Sequence, residues 1–234
     1  MLEGMLLVNK PVGMTSHDVV QAVRRKLAIR RIGHTGTLDP IAEGLLILLV
    51  GAATKHQQAF QGHEKTYEAV LRLGTQTDTA DALGTPLRTV DVPSLHADRV
   101  SALLASFQGP LSQIPPAYSA VKVRGRPAYW WARQHRQVEL SARVVHIVDI
   151  TLCACGADTI AFRVRCSAGT YIRTLAESIA ERLGTTGHLI KLVRLCVGAW
   201  SVEDAEPFSW ITHASRDDII ARLQPLAPPA NVSR

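Results

Sequence analysis

The sequence predicts a globular protein built from both α-helices and β-strands, and three of its patterns support this. Residues 45–50 form a continuous apolar run between two glycines, which is typical of a strand buried on both faces. Residues 16–27 and 170–183 carry apolar side chains three and four positions apart, as an amphipathic helix does. Residues 138–155 and 159–166 flank a Gly-Ala-Asp turn and indicate a pair of strands.

Turn and cap signals predict the remaining elements in order. A strand over residues 6–9 ends before a proline, and Ser16 is expected to cap the helix that runs to residue 27. Another strand is predicted over residues 66–73, and a helix over residues 97–107. The segment 74–86 is predicted to be a polar loop and not a metal site, because the full calcium-loop pattern is absent.

Composition narrows the class of protein. With 234 residues, 47% of them hydrophobic, the chain can enclose a sizeable core. Its longest uncharged apolar run, residues 44–53, is shorter than the roughly 20 residues that a membrane-spanning helix needs. The amino terminus lacks the zones of a signal peptide, so a cytoplasmic location is expected. The four cysteines form neither a disulfide framework nor a zinc-site pattern, so we expect no structural metal.

The net charge of +6 is concentrated in two stretches. The first basic cluster consists of Lys10, Arg24, Arg25, Lys26, Arg30 and Arg31. The second basic cluster consists of Lys122, Arg124, Arg126, Arg133, Arg136 and Arg143, and Tyr118, Tyr129, Trp130 and Trp131 lie among its members. Basic side chains with interleaved aromatic ones are suited to an RNA with exposed bases. By composition alone, a solvated basic face with the tryptophans in the core is an equally good interpretation.

One carboxylate, Asp39, occupies an unusual position. It precedes a proline in the segment GHTGTLDP, residues 33–40, which is rich in glycine and hydroxyl side chains and separates two apolar runs. For an arbitrary Asp-Pro pair, a structural turn is the ordinary interpretation. The surrounding sequence favours a functional carboxylate instead.

A second notable charge is Arg173, which falls in the first turn of the helix predicted over residues 170–183. A cation there opposes the helix dipole at a cost of about 0.3 to 1 kcal/mol, so Arg173 is expected to have an anionic partner. Glu177, four residues later on the same face, is the structural candidate, and Asp39 is the functional one.

Seven ordered motifs between Leu6 and about Asp204 resemble one family, the bacterial tRNA pseudouridine(55) synthases of the TruB family. The motifs are NKPVGMTSHDVV (9–20), GHTGTLDP (33–40), KTYEAVLRLG (65–74), TDTADALG (77–84), IPPAYSAVKVRG (114–125), CSAGTYIRTLA (166–176) and HLIKLVRL (188–195).

The resemblance implies an α+β fold in which a mixed, largely antiparallel sheet is flanked by helices and a cleft holds an extruded nucleotide. Many members of the family carry a carboxyl-terminal PUA domain, and the 38 residues after Cys196 are too few for one. We therefore expect a pseudouridine synthase catalytic domain over residues 1–203 and a short helical tail over residues 204–234, without a PUA domain.

The resemblance also implies roles for particular residues. Asp39 is expected to be the essential nucleophile, with Arg173 paired to it, and Tyr67 is expected to stack on the target uracil and to assist proton transfer. His34 would help to hold the target loop open, and Leu192 would supply an apolar wall. The substrate-binding residues expected in this way are His34, Tyr67, Tyr171 and Leu192. Glu43 stands where a small or hydroxyl residue is usual, which places another acid four positions from Asp39.

The activity implied is the isomerisation of uridine at position 55, in the T loop of tRNA, to pseudouridine. It needs no cofactor and no metal, and of the possible chemical routes we favour one through a glycal intermediate. The expected partner is the T arm of tRNA, without DNA or a membrane, and the chain is expected to act as a monomer. Two alternatives stay open: a pseudouridine synthase acting on another RNA, and a non-catalytic RNA-binding or RNA-folding protein on the same scaffold.

Overall fold

A computed structural model describes residues 2–134 and 136–226, and it confirms the predicted α+β class. The helices are α1 (Ser16–Leu27), α2 (Gln57–Gln61), α3 (Ala97–Ala105), α4 (Ala128–Ala132), α5 (Ile172–Arg182), α6 (Phe208–His213) and α7 (Arg216–Ala221). The strands are β1 (Gly4–Lys10), β2 (Ile32–His34), β3 (Ala42–Val50), β4 (Lys65–Leu73), β5 (Thr75–Thr77), β6 (Pro86–Thr89), β7 (Gly109–Gln113), β8 (Lys122–Val123), β9 (Arg126–Pro127), β10 (Arg143–Cys155), β11 (Thr159–Cys166), β12 (Gly187–Val197), β13 (Trp200–Ser201) and β14 (Glu206–Pro207).

The chain divides into two compact units. The first unit comprises the described residues of Met1–Lys65 and Val193–Arg234, and the second comprises Thr66–Leu192. The predicted boundary at residue 203 stays a prediction. The described part of the predicted tail contains α6 and α7, and residues 227–234 lie outside the described residues.

The first unit is organised around β3. Strand β1 pairs with it antiparallel, with Met5 opposite Leu49 and Leu7 opposite Ile47, and β2 also pairs with it antiparallel. On the other side of β1, β14 runs parallel to it, so this sheet is mixed. Every residue of β3 from Gly44 to Val50 is buried, which confirms the prediction of a strand covered on both faces.

The start of α1 differs from the prediction in one residue. Thr15, and not Ser16, is the N-cap: its hydroxyl accepts from the amide of Asp18, whose carboxylate accepts in return from the amide of Thr15. This reciprocal capping box satisfies two otherwise unpaired amides at the helix start. The hydroxyl of Ser16 is therefore available for another purpose, and Ser16 itself is buried.

The second unit contains the order β4-β11-β10-β7, with the first part of β12 beside β4. Strands β10 and β11 form the predicted antiparallel pair, and β7 is antiparallel to β10. Helix α3 packs against β10 and contacts α5. The predicted strand over residues 138–155 begins only at Arg143, and the predicted polar loop over residues 74–86 contains the short strand β5, which pairs with β6.

Within residues 2–134 and 136–226, the structure has no helix that is both long enough and apolar enough to cross a membrane.

Gly44 at the start of β3 is required by close packing within the first unit. Its φ is +105°, and a Cβ added there would lie 2.8 Å from the backbone nitrogen of Arg194 and would overlap that residue's carbonyl oxygen. Because neither backbone can move independently, Gly44→Ala is expected to lower the free energy of unfolding by at least about 2 kcal/mol. Denaturant unfolding measures this. Gly62→Ala is the control, since the nearest atom to its added Cβ is 3.6 Å away, and an equal loss in both variants would contradict the prediction.

Candidate active site

The loop over residues 35–41, which carries Asp39, is anchored through its backbone in the first unit. The amide of Thr35 donates to Ile47 O (3.1 Å), and the carbonyl of Pro40 accepts from the amide of Gly13 (2.7 Å). The carbonyl of Asp39 itself accepts from the amide of Ala42 (3.0 Å). Asp39 is half-buried. The loop is thus tied to β3 and to the segment before α1, and its carboxylate is presented from a fixed backbone.

Two buried side chains complete this anchoring, and the sequence did not predict either. The hydroxyl of Ser16 accepts from the amide of Leu38 (2.8 Å) and donates to its carbonyl (3.2 Å). The guanidinium of Arg194 donates to three backbone carbonyls: Leu45 O (2.7 Å), Gly36 O (3.1 Å) and Thr37 O (3.3 Å).

Arg194 is only 2% exposed, so its charge depends on these carbonyls in place of water. Hydrogen bonds to charged groups contribute about 1.5 to 3 kcal/mol each, and such a set is strongest when complete. One feature of the sequence could have indicated that Arg194 is buried. It lies in the apolar stretch HLIKLVRL, at a position that the burial pattern of β12 turns towards the interior.

Lys10 is also buried, although the sequence placed it in the first basic cluster. Its ammonium donates to Pro11 O and to Met14 O, both at 2.8 Å. Burial lowers the pKa of Lys10 to about 8, and the charge of Asp39 is the largest influence that opposes this decrease. The carboxylate of Glu43 opposes it as well. Lys10 is therefore a cation of the interior that is attracted to Asp39, and it is not part of a docking surface.

His34, at the end of β2, lies on the same unit as Asp39. Burial, and after it the charge of Arg194, lowers the pKa of His34 below its usual value. Its Nδ1 is buried, and within the described residues it has no hydrogen-bond partner. The neutral imidazole is thus the favoured form at neutral pH.

Arg173, in the first turn of α5, is 4% exposed and held within the second unit. It donates to Thr79 O and to Tyr118 O, both at 2.8 Å, and its Nη1 lies 3.9 Å from the carboxylate of Asp81. The sequence offered Glu177 and Asp39 as anionic partners for this cation. The pairing with Asp39 stays a prediction, and Asp81 is an acid near Arg173 that the sequence did not indicate as its partner.

Glu177 has a different role. Its carboxylate accepts from Gln76 Nε2 (3.2 Å), and burial raises its pKa. Asp81 also accepts from the hydroxyl of Thr79 (2.7 Å) and from the amide of Leu83 (3.0 Å), so it organises the turn that reaches Arg173. The sequence predicted only that residues 74–86 form a polar loop, and it gave no sign of this pairing.

The other predicted substrate-binding residues also lie in the second unit. Tyr67 on β4 and Leu192 on β12 are buried. Tyr171 is the N-cap residue of α5, and Gln113 holds its backbone by accepting from its amide (3.0 Å) and donating to its carbonyl (3.3 Å). His34 and Asp39 belong to the first unit, and Tyr67, Tyr171, Arg173 and Leu192 to the second.

The second basic cluster is on the surface: all six of its members are exposed. Arg126 lies 5.4 Å from the ring centre of Trp130, and Arg133 lies 5.5 Å from that of Tyr129. Trp130 and Trp131 are half-buried and pack edge to face, so they are neither core nor free stacking surfaces. In the first basic cluster, Arg25, Arg30 and Arg31 are exposed.

Known proteins resemble this chain in sequence and in fold. A model of the N-terminal domain of the TruB family pseudouridylate synthases matches residues 24–172. The tRNA pseudouridine synthase B of Burkholderia pseudomallei (strain 668) is 46% identical over 225 residues, which are 96% of this chain and 74% of that protein. The protein of the same name from Hydrogenovibrio crunogenus is 41% identical over 97% of this chain and 74% of its own length.

A solved structure of a Cbf5-Nop10-Gar1 complex contains a chain that matches this fold with a TM-score of 0.71 and 26% identity. The match covers 95% of this chain and 60% of that chain, so this chain spans less than two thirds of the length of that structural relative.

The buried pairing of Asp81 with Arg173 gives a stability prediction. Asp81→Ala removes the acid that faces a buried guanidinium, and it takes away the carboxylate acceptor of the Thr79 hydroxyl and of the Leu83 amide. It is therefore expected to lower the free energy of unfolding by about 3 kcal/mol. Asp78→Ala is the matched control in the same turn, because Asp78 is exposed and accepts from Thr85 N alone among the described residues. Chemical denaturation of both variants measures the loss of free energy of unfolding. A similar, small loss in both would contradict the stabilising role assigned to Asp81.

Proposed function

Because the chain belongs to the TruB family of pseudouridylate synthases, we propose that it converts the uridine at position 55, in the T loop of tRNA, to pseudouridine. The observation that carries this proposal is the anchored loop that presents Asp39, in a chain 46% identical to an enzyme named tRNA pseudouridine synthase B. The enzyme is proposed to act as a monomer in the cytoplasm, where its tRNA substrate is found.

The reaction explains why one fixed carboxylate is needed. The bond between the ribose and N1 of uracil breaks, the uracil turns, and a new bond forms between the ribose and C5. C5 then loses its proton, and N1 carries a proton in the product. Atoms and electrons balance without an oxidant, a reductant or a second substrate. An ionised carboxylate can act as the nucleophile or as the base in such a sequence, and Asp39 is proposed for this role. We favour the route through a glycal intermediate.

The charges of the first unit support an ionised Asp39. Lys10 is buried, and the interaction of its ammonium with Asp39 is the largest charge effect on it. Opposite charges with little water between them attract more strongly than on the surface. Arg194 adds a second buried cation, whose guanidinium is bonded to the carbonyls of the two residues at positions 36 and 37 in the same loop.

The roles of the second-unit residues are proposed from the family resemblance. Tyr67 stacks on the uracil and assists proton transfer, and Tyr171 and Leu192 enclose the ring so that the free base does not escape. Arg173 is proposed to pair with Asp39 in the substrate complex. Its two carbonyl contacts and the nearby Asp81 support this role, because they fix the direction of the guanidinium in its own unit.

The target base must leave its stack before it can react, which costs a few kcal/mol. Contacts between cationic side chains and RNA phosphates can supply this energy. The exposed cationic side chains of the two basic clusters are proposed to make them. These are Arg25, Arg30 and Arg31 from the first cluster and all six members of the second. His34 is proposed to help keep the T loop open.

Replacing the carboxylate tests the mechanism. Asp39→Asn is expected to abolish turnover while RNA affinity stays within a few fold, because the amide keeps the size of the side chain but is neither a nucleophile nor a base. Tritium release from a tRNA transcript labelled at uracil C5 measures turnover, and filter binding measures affinity. An active Asp39→Asn enzyme would overturn the role of Asp39.

The control RNA carries cytidine in place of the T-loop uridine and tritium at the remaining uracils. Release from this transcript by the unchanged enzyme would support a different target RNA or position. Binding of the normal transcript without any release would support the non-catalytic RNA-binding alternative.

Phosphate contacts make the affinity depend on salt. The logarithm of the association constant is expected to fall linearly with the logarithm of salt concentration, and Arg25→Gln and Arg30→Gln should each reduce the slope by about one. Arg163→Gln is the matched control, because Arg163 is exposed but pairs with Glu68 at 2.6 Å and lies outside both basic clusters. A slope that the cluster variants leave unchanged would exclude Arg25 and Arg30 from the docking surface.

A further inference from the structure

The loop that carries Asp39 is secured by a nearly continuous set of hydrogen bonds. Backbone groups of Thr35, Asp39 and Pro40 are paired with other backbone groups of the first unit. The carbonyls of residues 36 and 37, and both backbone groups of Leu38, are instead paired with the side chains of Arg194 and Ser16. The three residues directly before Asp39 therefore depend on two side chains for their conformation.

From this arrangement we propose that Ser16 and Arg194 are positioning residues, which hold the backbone of residues 36–38 and thereby aim the carboxylate of Asp39. The proposal rests on the proposed function, since it requires Asp39 to be the reacting group. Neither residue needs to touch the substrate to act in this way.

Ser16 and Arg194 bind the loop in different ways. Ser16 uses one hydroxyl to satisfy the amide and the carbonyl of Leu38, so it fixes both ends of the residue that precedes Asp39. The Nη1 and Nη2 atoms of Arg194 bond consecutive carbonyls, and its Nε bonds Leu45 O on β3. Arg194 thus ties the loop to the buried strand through one rigid, planar group.

Burial gives these contacts their strength. Both side chains are 2% exposed, so water cannot replace a partner that the loop withdraws. Any movement of residues 36–38 away from this conformation leaves a buried cation or a buried hydroxyl incompletely bonded. The capping of α1 by Thr15 supports a separate role for Ser16, because the helix start does not need its hydroxyl.

The first test is Ser16→Ala, a small change that retains the helix and its cap. The single-turnover rate of tritium release at saturating enzyme is expected to fall about 10- to 100-fold, as when a reacting group is misplaced by up to about 1 Å. The dissociation constant for tRNA is expected to stay unchanged. Hydrogen exchange at the Leu38 amide should become faster, since that amide loses its acceptor.

Ser215→Ala is the matched control. Ser215 is a serine of the same unit whose hydroxyl caps α7 and bonds Asp218, far along the chain from the loop. This variant is expected to keep the single-turnover rate and the Leu38 exchange rate of the unchanged enzyme. If Ser16→Ala also keeps its rate, the positioning role of Ser16 is overturned.

The second test is Arg194→Lys, which keeps the charge but replaces the planar fork by one ammonium that cannot bond all three carbonyls in the same way. A rate loss of at least about tenfold with unchanged tRNA affinity supports positioning through the carbonyl bonds. Full activity would overturn that role. An Arg194→Lys protein that unfolds below the assay temperature would also overturn it, because the residue would then serve folding.

The outcomes separate this proposal from the proposed function. If Asp39→Asn is inactive and both Ser16→Ala and Arg194→Lys are fully active, only the positioning proposal fails. If Asp39→Asn is active, the proposed mechanism fails first, and the positioning proposal fails with it.

Discussion

The bonding of one buried guanidinium to the backbone is the constraint on which the candidate site depends. A cation removed from water is stable only when its donors are paired, and Arg194 finds its partners in the carbonyls of Gly36, Thr37 and Leu45. The loop therefore cannot change shape without exposing an unpaired charge to a non-polar interior. Gly44 lets the backbone that carries Arg194 approach β3 closely enough for these bonds to form. The position of the loop thus follows from packing on a strand that is buried along almost its whole length.

The basic side chains have two different roles, and the structure shows which residues have which role. Lys10, Arg173 and Arg194 are buried, and each donates to at least two backbone carbonyls, so they organise loops and turns from within their own units. The members of the second basic cluster are exposed, so their charges face solvent and are available to a polyanion. A count of net charge cannot distinguish these groups, because burial decides whether a cation bonds to the protein's own backbone or to phosphate.

The sequence predicted those features that local pattern determines. The continuous apolar run predicted β3, because a strand covered on both faces has no polar position, and the need of Arg173 for an anion followed from the helix dipole. The contact of Arg173 with Asp81 could not be predicted, since Asp81 is remote along the chain and its turn brings it to Arg173 only in the folded unit. For the same reason the sequence did not reveal the contacts of Ser16, and it placed Lys10 on the surface. The role of Asp39 came from a motif and not from periodicity.

The proposed isomerisation explains why such a rigid loop would be advantageous. During the reaction the uracil is detached and must turn before it is rejoined, so the substrate itself moves within the site. If the carboxylate also moved, the two reacting groups would have to be brought into alignment a second time. The rate advantage that comes from holding them in a reactive geometry would then be lost. Holding the backbone of residues 36–38 from two sides fixes the point from which the side chain of Asp39 extends. Different interactions then control the carboxylate and the base. Hydrogen bonds to buried side chains fix the backbone that carries the carboxylate. Apolar walls such as Tyr67 and Leu192 are proposed to retain the base without fixing its orientation.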